Sequence, residues 1–526
     1  MKAFGSVHPV DYLIIVISLL FSLGMGFWFA KRQKDTGNYF TARGTIPSWA
    51  IGISILATLI SSVTFLAYPG EGYKSNWILL VQGLMVPVVL LAIVGFVVPL
   101  FRRVIRLSTY EYFERRFGLF ARLYTSVSFS LTHFSKMGTV FFLLALALGK
   151  MTGLDTSAII WVVGAVIIVL TLLGGIEAII WLDVIQGFLL IVGGIIALLV
   201  LLFTPEGGPA VVWKVAVDNG KIGFGPFDWD FVNLTFIVMA LNGIFYAIQK
   251  YGTDQTIVQR YLTARSDKAA VKAALVGVLL SVPVWAMFMF IGTALFSWYQ
   301  LSGTPLPDGI NPDEVFPHFI MTQLPVGIVG LILSALIAAA ISSLDSDLNC
   351  LSAVLLQDYY LRIRPGSTET HRLFMSKLFV VVAGILSILI ALWYVRAGSE
   401  GVLGIVFTLY SIFSGGIAGM FLLGIFSTRA NKQGLYWGIG ACILFTAWAL
   451  LTSTPIGVEG KETLLINLGD YNFTHHPYMI GVYSHLVLIF FGYTASFMYK
   501  GDKPEPRLTW YGRKMNDQKD PDDQLN

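Results

Sequence analysis

Apolar positions along this chain gather into runs about twenty residues long, the length a helix needs to cross the hydrocarbon core of a bilayer. Such runs fall near 10–30, 48–72, 76–101, 120–150, 156–174, 179–203, 231–251, 270–298, 324–352, 373–396, 401–427, 433–452 and 478–499, which predicts thirteen membrane helices. The first run is of full span length, has no positive segment ahead of it followed by a small-residue cleavage site, and reads as a retained helix. Composition agrees with this pattern. A chain of 526 residues that is 56% hydrophobic and only 13% charged, with a mean hydropathy of +0.73, is excluded from the class of water-soluble globules. An all-α polytopic membrane protein is expected. Both cysteines, Cys350 and Cys442, fall inside predicted spans, so no disulfide framework is implied and packing roles are expected.

The polar segments between the runs carry the orientation, because Lys and Arg near helix ends stay on the cytoplasmic side. With the N-terminus outside and the C-terminus inside, 26 of the 35 basic residues fall on inner segments and seven on outer ones. The net charge of +4 is then a trace of topology, and no nucleic-acid partner is read into it. Two lysines remain within spans. Lys136 lies about sixteen residues into the fourth run, near midplane, where it cannot easily reach the headgroups. Lys250 ends the seventh run, where a long side chain could snorkel outward. Asp183 opens the sixth run near its cytoplasmic end.

The ninth run closes on "ISSLDSDLNC", residues 341–350. Residues three and four apart share a helix face, so Ser342, Asp345 and Ser346 cluster, with Ser343 and Asp347 flanking. Hydroxyls, a carboxylate and freed carbonyls form a hard-oxygen site suited to a group 1 or group 2 cation. The alternative is a polar helix end facing an aqueous vestibule at the inner mouth.

Two runs contain signs of interruption. "SWAIGISILATLISSVTFLAYPGEGY" holds Thr58, Ser61, Ser62 and Thr64 in mid-run, then Pro69, Gly70 and Gly72; "ALNGIFYAIQKYG" holds Asn242 and Gly243. Irregular backbone at membrane depth survives only where protein or a cavity covers it. Broken helices five spans apart suit an inverted repeat with substrate and ion bound where the breaks meet. Tolerated Gly and Pro kinks are the plainer reading.

"ARGTIPSWAIGISILATLISSVTF", "GIEAIIWLDVIQG", "TDQTIVQRYL" and "ALIAAAISSLDSDLN" resemble the sodium:solute symporter family, and the likeness runs through roughly residues 35–430. That family includes sodium/sugar, sodium/proline, iodide, monocarboxylate, multivitamin and bacterial sialic acid transporters. The resemblance implies a leucine-transporter-type fold with a 5+5 inverted repeat. Its divisions here are 1–47, an extra helix and inner loop; 48–203, the first repeat; 204–230, an outer loop; 231–427, the second repeat; 428–499, two further helices; and 500–526, a cytoplasmic tail.

By resemblance, sodium binds backbone carbonyls of Ala57, Ile60 and Ala339 with the hydroxyls of Ser342 and Ser343. A second sodium site, as in the sialic acid branch, maps to Asp183, Ser342, Asp345 and Ser346. Serine is expected at 345, so the aspartate adds a negative charge that strengthens ion binding, favours a proton, or pairs with Lys136 or another base. Leu182 also departs from the Thr common between Trp and Asp. The sialic acid branch resembles this chain around "LTHFSKMGTV", where a basic residue receives the carboxylate of the sugar acid; Lys136 stands there instead of Arg, keeping the charge and losing the bidentate fork. Candidate pocket residues are Leu59, Ser61, Thr64, Gln82, His133, Lys136, Tyr246, Gln249 and Lys250. No sugar-contacting Lys of the sodium/galactose branch is found near Ser281, and Thr64 does not match that branch's Gln.

The expectation is a multi-pass plasma-membrane protein, in the inner membrane if bacterial, importing a small acidic solute such as sialic acid with Na+ as coupling ion. Its partners are the solute, Na+ and the lipid bilayer; no other cofactor and no obligate protein partner are expected. A sodium/neutral sugar symporter is the alternative, and a solute sensor or sodium leak channel on the same scaffold is a further one. Enzymatic chemistry is not expected, since nothing supplies a nucleophile or a metal-ligating His cluster within the spans.

Overall fold

A computed structural model describes residues 7–397, 415–456, 463–499, 501 and 504–512. The helices that build the bundle are α1 (Pro9–Ala30), α2 (Ser48–Leu59), α3 (Ser62–Lys74), α4 (Leu80–Val104), α5 (Glu111–Phe117), α6 (Leu119–Thr152) and α7 (Thr156–Phe203). They continue with α8 (Phe236–Gly252), α9 (Gln255–Leu262), α10 (Asp267–Ser302), α11 (Pro312–Gln323), α12 (Ile328–Val354) and α13 (Glu369–Ala397). The last are α14 (Ile417–Phe426), α15 (Lys432–Ser453) and α16 (Pro477–Ala495). Among the described residues nine helices are long and apolar enough to cross a membrane, and the pair α2 and α3, bent by 57°, makes a tenth. Strand is confined to a two-residue antiparallel pair, Pro455–Ile456 with Thr463–Leu464.

The predicted runs fall on these helices with two differences in extent, and α8 runs unbroken through Asn242 and Gly243, where the sequence suggested a second interruption. Runs 156–174 and 179–203 are joined in α7, whose helical course is broken at Gly175 (φ 57, ψ −167). That backbone region is open almost only to glycine, and a Cβ there would lie 2.9 Å from Gln33 Oε1 and Tyr39 O. The other difference is run 401–427, in which α14 is the described helix; residues 401–414, and all of the tail 500–526 except 501 and 504–512, lie outside the described residues.

Short helices occupy segments that a search for apolar twenty-residue runs passes over. Gly208–Asp218 lies in the expected outer loop, and α5, α9 and α11 join the long helices. Each starts where local chemistry allows. Asp254 accepts from the Thr256 N–H at 2.8 Å to begin α9, and Pro312 occupies the first turn of α11, where its missing donor costs nothing.

Burial ranks the helices. In the most apolar window of α12, continued through Ile363, 89% of residues are buried, against 17% for α1. α12 is therefore the centre of the bundle, packed by α7, α1, α13, α6 and α2. α1 turns Leu13, Leu20 and Trp28 outward. It also anchors the start of α12, because Asp11 Oδ1 accepts the N–H groups of Gly327 (2.7 Å) and Gly330 (2.8 Å), donors that have no partner inside their own helix.

Candidate functional site

The break between α2 and α3 falls at Ile60 and Ser61, where Ile60 is extended (φ −100, ψ 106). Breaking a helix frees carbonyls of its last turn. Ala57 O is one of these, and it lies 3.2 Å from Ser342 Oγ on α12; Ala339 O lies 3.2 Å from the same hydroxyl. Ser343 Oγ is buried with no hydrogen-bond partner among the described residues. A small cavity lies here, lined by Ala57, Ile60, Ala339 and Ser342 together with Gln186 and Gly187 of α7. The structure thus brings together all five residues of the first predicted ion site, four of them around one cavity and the fifth, Ser343, buried beside Ser342. Gln186 belongs to this group too, since both polar atoms of its buried amide lack partners, and its place in W-x-D-x-x-Q was the available signal.

One turn further along α12 lies a second polar cluster, wholly buried. Ser346 Oγ donates to Ser342 O at 2.7 Å and lies 3.4 Å from Asp345 Oδ1. Asp183 of α7 does not meet these groups alone. The guanidinium of Arg260, from α9, lies between them, donating from Nη2 to Asp183 Oδ2 (3.0 Å) and Ser346 Oγ (2.7 Å), and from Nε to Ser54 Oγ (2.8 Å). Arg260 and its partners Asp183 and Ser346 are completely buried. Arg260 is one of the 26 basic residues on expected inner segments, and its short helix folds inward and inserts the guanidinium into the core. Its motif, "TDQTIVQRYL", carried the resemblance without revealing this role. Asp345 Oδ2 and Asp183 Oδ1 remain without hydrogen-bond partners, and Asp345 makes no ion pair among the described residues. Two carboxyl groups thus lie near one guanidinium, and only Asp183 is paired with it, so Asp345 is left to a proton or to another cation.

The stretch 341–350 is therefore no solvated helix end. Ser342, Ser343, Asp345, Ser346, Asp347 and Asn349 are all buried, and Asn349 Oδ1 accepts from Gln259 Nε2 at 2.8 Å.

The candidate solute residues divide. Lys136 of α6 meets a carboxylate on α12, and it is Asp347, not Asp345: Nζ lies 2.9 Å from Oδ2 and 3.2 Å from Oδ1. His133, one turn earlier, places Nδ1 2.9 Å from Asp347 Oδ1 and Nε2 3.5 Å from Asp254 Oδ2. Lys250 does not snorkel. It is 12% exposed and bonds Asp254 Oδ2 (2.7 Å) and Thr256 Oγ1 (3.1 Å). Tyr246 lies within electrostatic reach of Lys136 and Asp254, and Tyr68 of α3 is near it. Gln82 of α4 is pressed against Gly243 of α8, where a Cβ would come within 2.9 Å of the Gln82 backbone. Leu59, Ser61 and Thr64 bracket the break, and Gln249 precedes Lys250 on α8.

Comparison with known proteins gives a consistent set of relatives. The sodium:solute symporter family model matches residues 39–441. The sodium/sialic acid symporter NanT of Aliivibrio fischeri is 32% identical over 502 residues, covering 95% of each chain. The sodium/sialic acid symporter SiaT of Proteus mirabilis is 34% identical over 439 residues, 83% of this chain and 88% of that one. The solved substrate-bound outward-open state of a Na+-coupled sialic acid symporter superposes with a TM-score of 0.86 at 31% identity, covering 95% of this chain and 100% of that one.

Proposed function

The chain belongs to the sodium:solute symporter family, and from that membership we propose that it imports an acidic sugar of the sialic acid type together with Na+, by alternating access in a multi-pass membrane protein. The observation that carries the reading is the junction of the broken pair α2–α3 with α12, where carbonyls of Ala57 and Ala339 converge on Ser342 beside the unpartnered Ser343 hydroxyl. A site of hard neutral oxygens, small and largely dehydrated, suits an alkali cation. In this reading Ala57, Ile60, Ala339, Ser342 and Ser343 hold the first sodium. Asp183, Ser342, Asp345 and Ser346 hold a second, whose charge balances the carboxylate that Arg260 leaves unmatched. Lys136 receives the carboxylate of the solute.

Sodium arriving from outside joins α2 to α12 and stabilises the conformer whose solute pocket is complete, shifting the population toward it. Occlusion and rocking of one helix bundle against the other then open the inner side. The finer architecture belongs to the same proposal: thirteen spans, ten of them in two inverted five-helix repeats, with the N-terminus outside. The bacterial sialic acid relatives support an inner-membrane location. The family is one of transporters, and no enzymatic step is proposed.

A neutral sugar is the second reading, and one observation favours it. Lys136 has a carboxylate partner in Asp347, so its charge is not held for a solute alone. The sodium/glucose cotransporter of Vibrio parahaemolyticus, 27% identical over 487 residues, is also a relative. Purified protein in liposomes separates the readings. Labelled N-acetylneuraminate is expected to accumulate under an inward sodium gradient and to equilibrate no faster than in empty vesicles when choline replaces sodium. Sodium-driven accumulation of glucose or galactose without the acid would establish the second reading, and sodium-independent equilibration would turn the assignment into a leak channel.

A further inference from the structure

The groups around Lys136 form a closed electrostatic set. Asp347, on α12, holds Lys136 through both carboxylate oxygens and His133 through Oδ1. His133 reaches on to Asp254, which Lys250 holds from the other side. His133 sets both ring nitrogens against carboxylates, Nδ1 against Asp347 and Nε2 against Asp254, so every basic group of the set already has a carboxylate partner. A carboxylate entering such a pocket meets no free cation. It must share Lys136 with a partner already in place.

Exposure shows which side of Lys136 is available. Its side chain is 31% exposed, whereas Asp347 beneath it is completely buried. An ammonium has three donors and can serve two acceptors on different sides. Asp347 takes the buried side, and the open side remains for the solute. Two carboxylates on one ammonium repel, so the buried one lowers the affinity for an anionic solute relative to a neutral one of the same shape, as unfavourable juxtaposition does in any discriminating site.

We propose that Asp347 is a specificity-determining residue: it competes with the solute's carboxylate for Lys136 and so sets the balance between anionic and neutral solutes. This rests on the reading that Lys136 meets the solute. Asp347 also lies on the helix that carries Ser342 and Ser343, five and four residues earlier, so drawing Lys136 away from it acts on the element that holds sodium in the proposed reading.

The test compares N-acetylneuraminate with its uncharged C1 carboxamide, in sodium-driven uptake by liposomes holding the parent or the Asp347→Asn variant. The ratio of apparent affinities, acid over amide, is expected to rise at least tenfold in the variant. Asp347→Ser, which removes the same charge and leaves room for a water, serves if the first variant does not fold. A merely structural role for Asp347 changes both compounds alike, and an unchanged or lowered ratio in a folded variant overturns the proposal. A parent that takes up only the amide, with a variant that admits the acid, keeps the role of Asp347 and overturns the acidic-sugar reading. Uptake of neither compound by parent or variant overturns both.

Discussion

Replacing Asp345 by serine tests the charge count at the second cluster. Asp183, Asp345 and Arg260 are each fully buried, and only Asp183 is paired with the guanidinium. Holding Asp345 ionised without a partner costs about 3–5 kcal/mol, so without sodium the group takes a proton or bears that penalty, and a bound cation removes the need for either. A monovalent cation about 4 Å from the carboxylate gains about 4 kcal/mol at an effective dielectric of about 20. If about half survives the dehydration of the ion, about 2 kcal/mol remains, or roughly 30-fold in sodium affinity. Asp345→Ser is therefore expected to be more heat-stable than the parent in choline buffer and to gain less from added sodium. In liposomes clamped at a set potential, the charge moved per acidic solute is expected to fall from about one to zero, with a shallower sodium dependence. Equal Hill slope, equal charge per solute and sodium affinity within about twofold of the parent would falsify the ligand role.

Lys136→Ala is expected to abolish uptake of the acidic sugar while sodium-induced thermal stabilisation remains; full uptake by this variant would remove Lys136 from the pocket. Ser343→Ala takes away an unpartnered buried hydroxyl, so it should weaken apparent sodium affinity by about tenfold, near 1.4 kcal/mol, with little loss of stability in choline, a combination that sodium-dependent thermal shift reads directly. Asp183→Ala removes the ion-pair partner of Arg260 and one ligand of the proposed second sodium site while Asp345 remains near the guanidinium, so a weaker sodium dependence is expected, and unchanged sodium affinity would remove Asp183 from that site. Gly175→Ala forces a side chain into a backbone region costing about 1–3 kcal/mol and against Tyr39, and a lowered melting temperature with unchanged sodium affinity is the expected pair of results.

Much of this site was legible in the sequence because its residue types are unusual for their setting. Serines and aspartates at helical spacing inside an apolar run have no place in lipid, and α12 buries every one of them. The interruption near Ser61 was visible as hydroxyl residues followed by Pro69, and the helix breaks at 60–61. What escaped was the pairing between elements. Charge tallies assign a cation to a side of the membrane from its place in a loop and say nothing of its burial, and α9 is too short to register as a span, so the pairing of Arg260 with Asp183, 77 positions earlier, could not be read from them. Similarly, the depth of Lys136 identified it as a buried cation in need of a partner, but spacing cannot choose between Asp345 and Asp347 when both lie near the same turn. Rotation of α12 made that choice, placing Asp345 beside Ser346 and the Asp183–Arg260 pair and turning Asp347 toward α6.

The two charge balances bear on one another through the energetics of accumulation. One charge crossing 100 mV contributes about 2.3 kcal/mol, and a tenfold sodium gradient about 1.4 kcal/mol per ion. A neutral solute carried with one sodium draws on both, about 3.7 kcal/mol, enough for several-hundred-fold accumulation. A monoanion carried with one sodium moves no net charge and gains only about tenfold. With two sodium ions the same anion draws on about 5 kcal/mol, or several-thousand-fold. An acidic solute thus makes a second cation far more valuable than a neutral one does. Under the proposed function, Lys136 beside the solute and an extra carboxylate, Asp345, on the helix of the proposed first sodium site would both serve one substrate charge. If the solute were neutral, Lys136 would be a structural partner of Asp347, and the uncompensated carboxylate at Asp345 would lack a reason in the transport cycle.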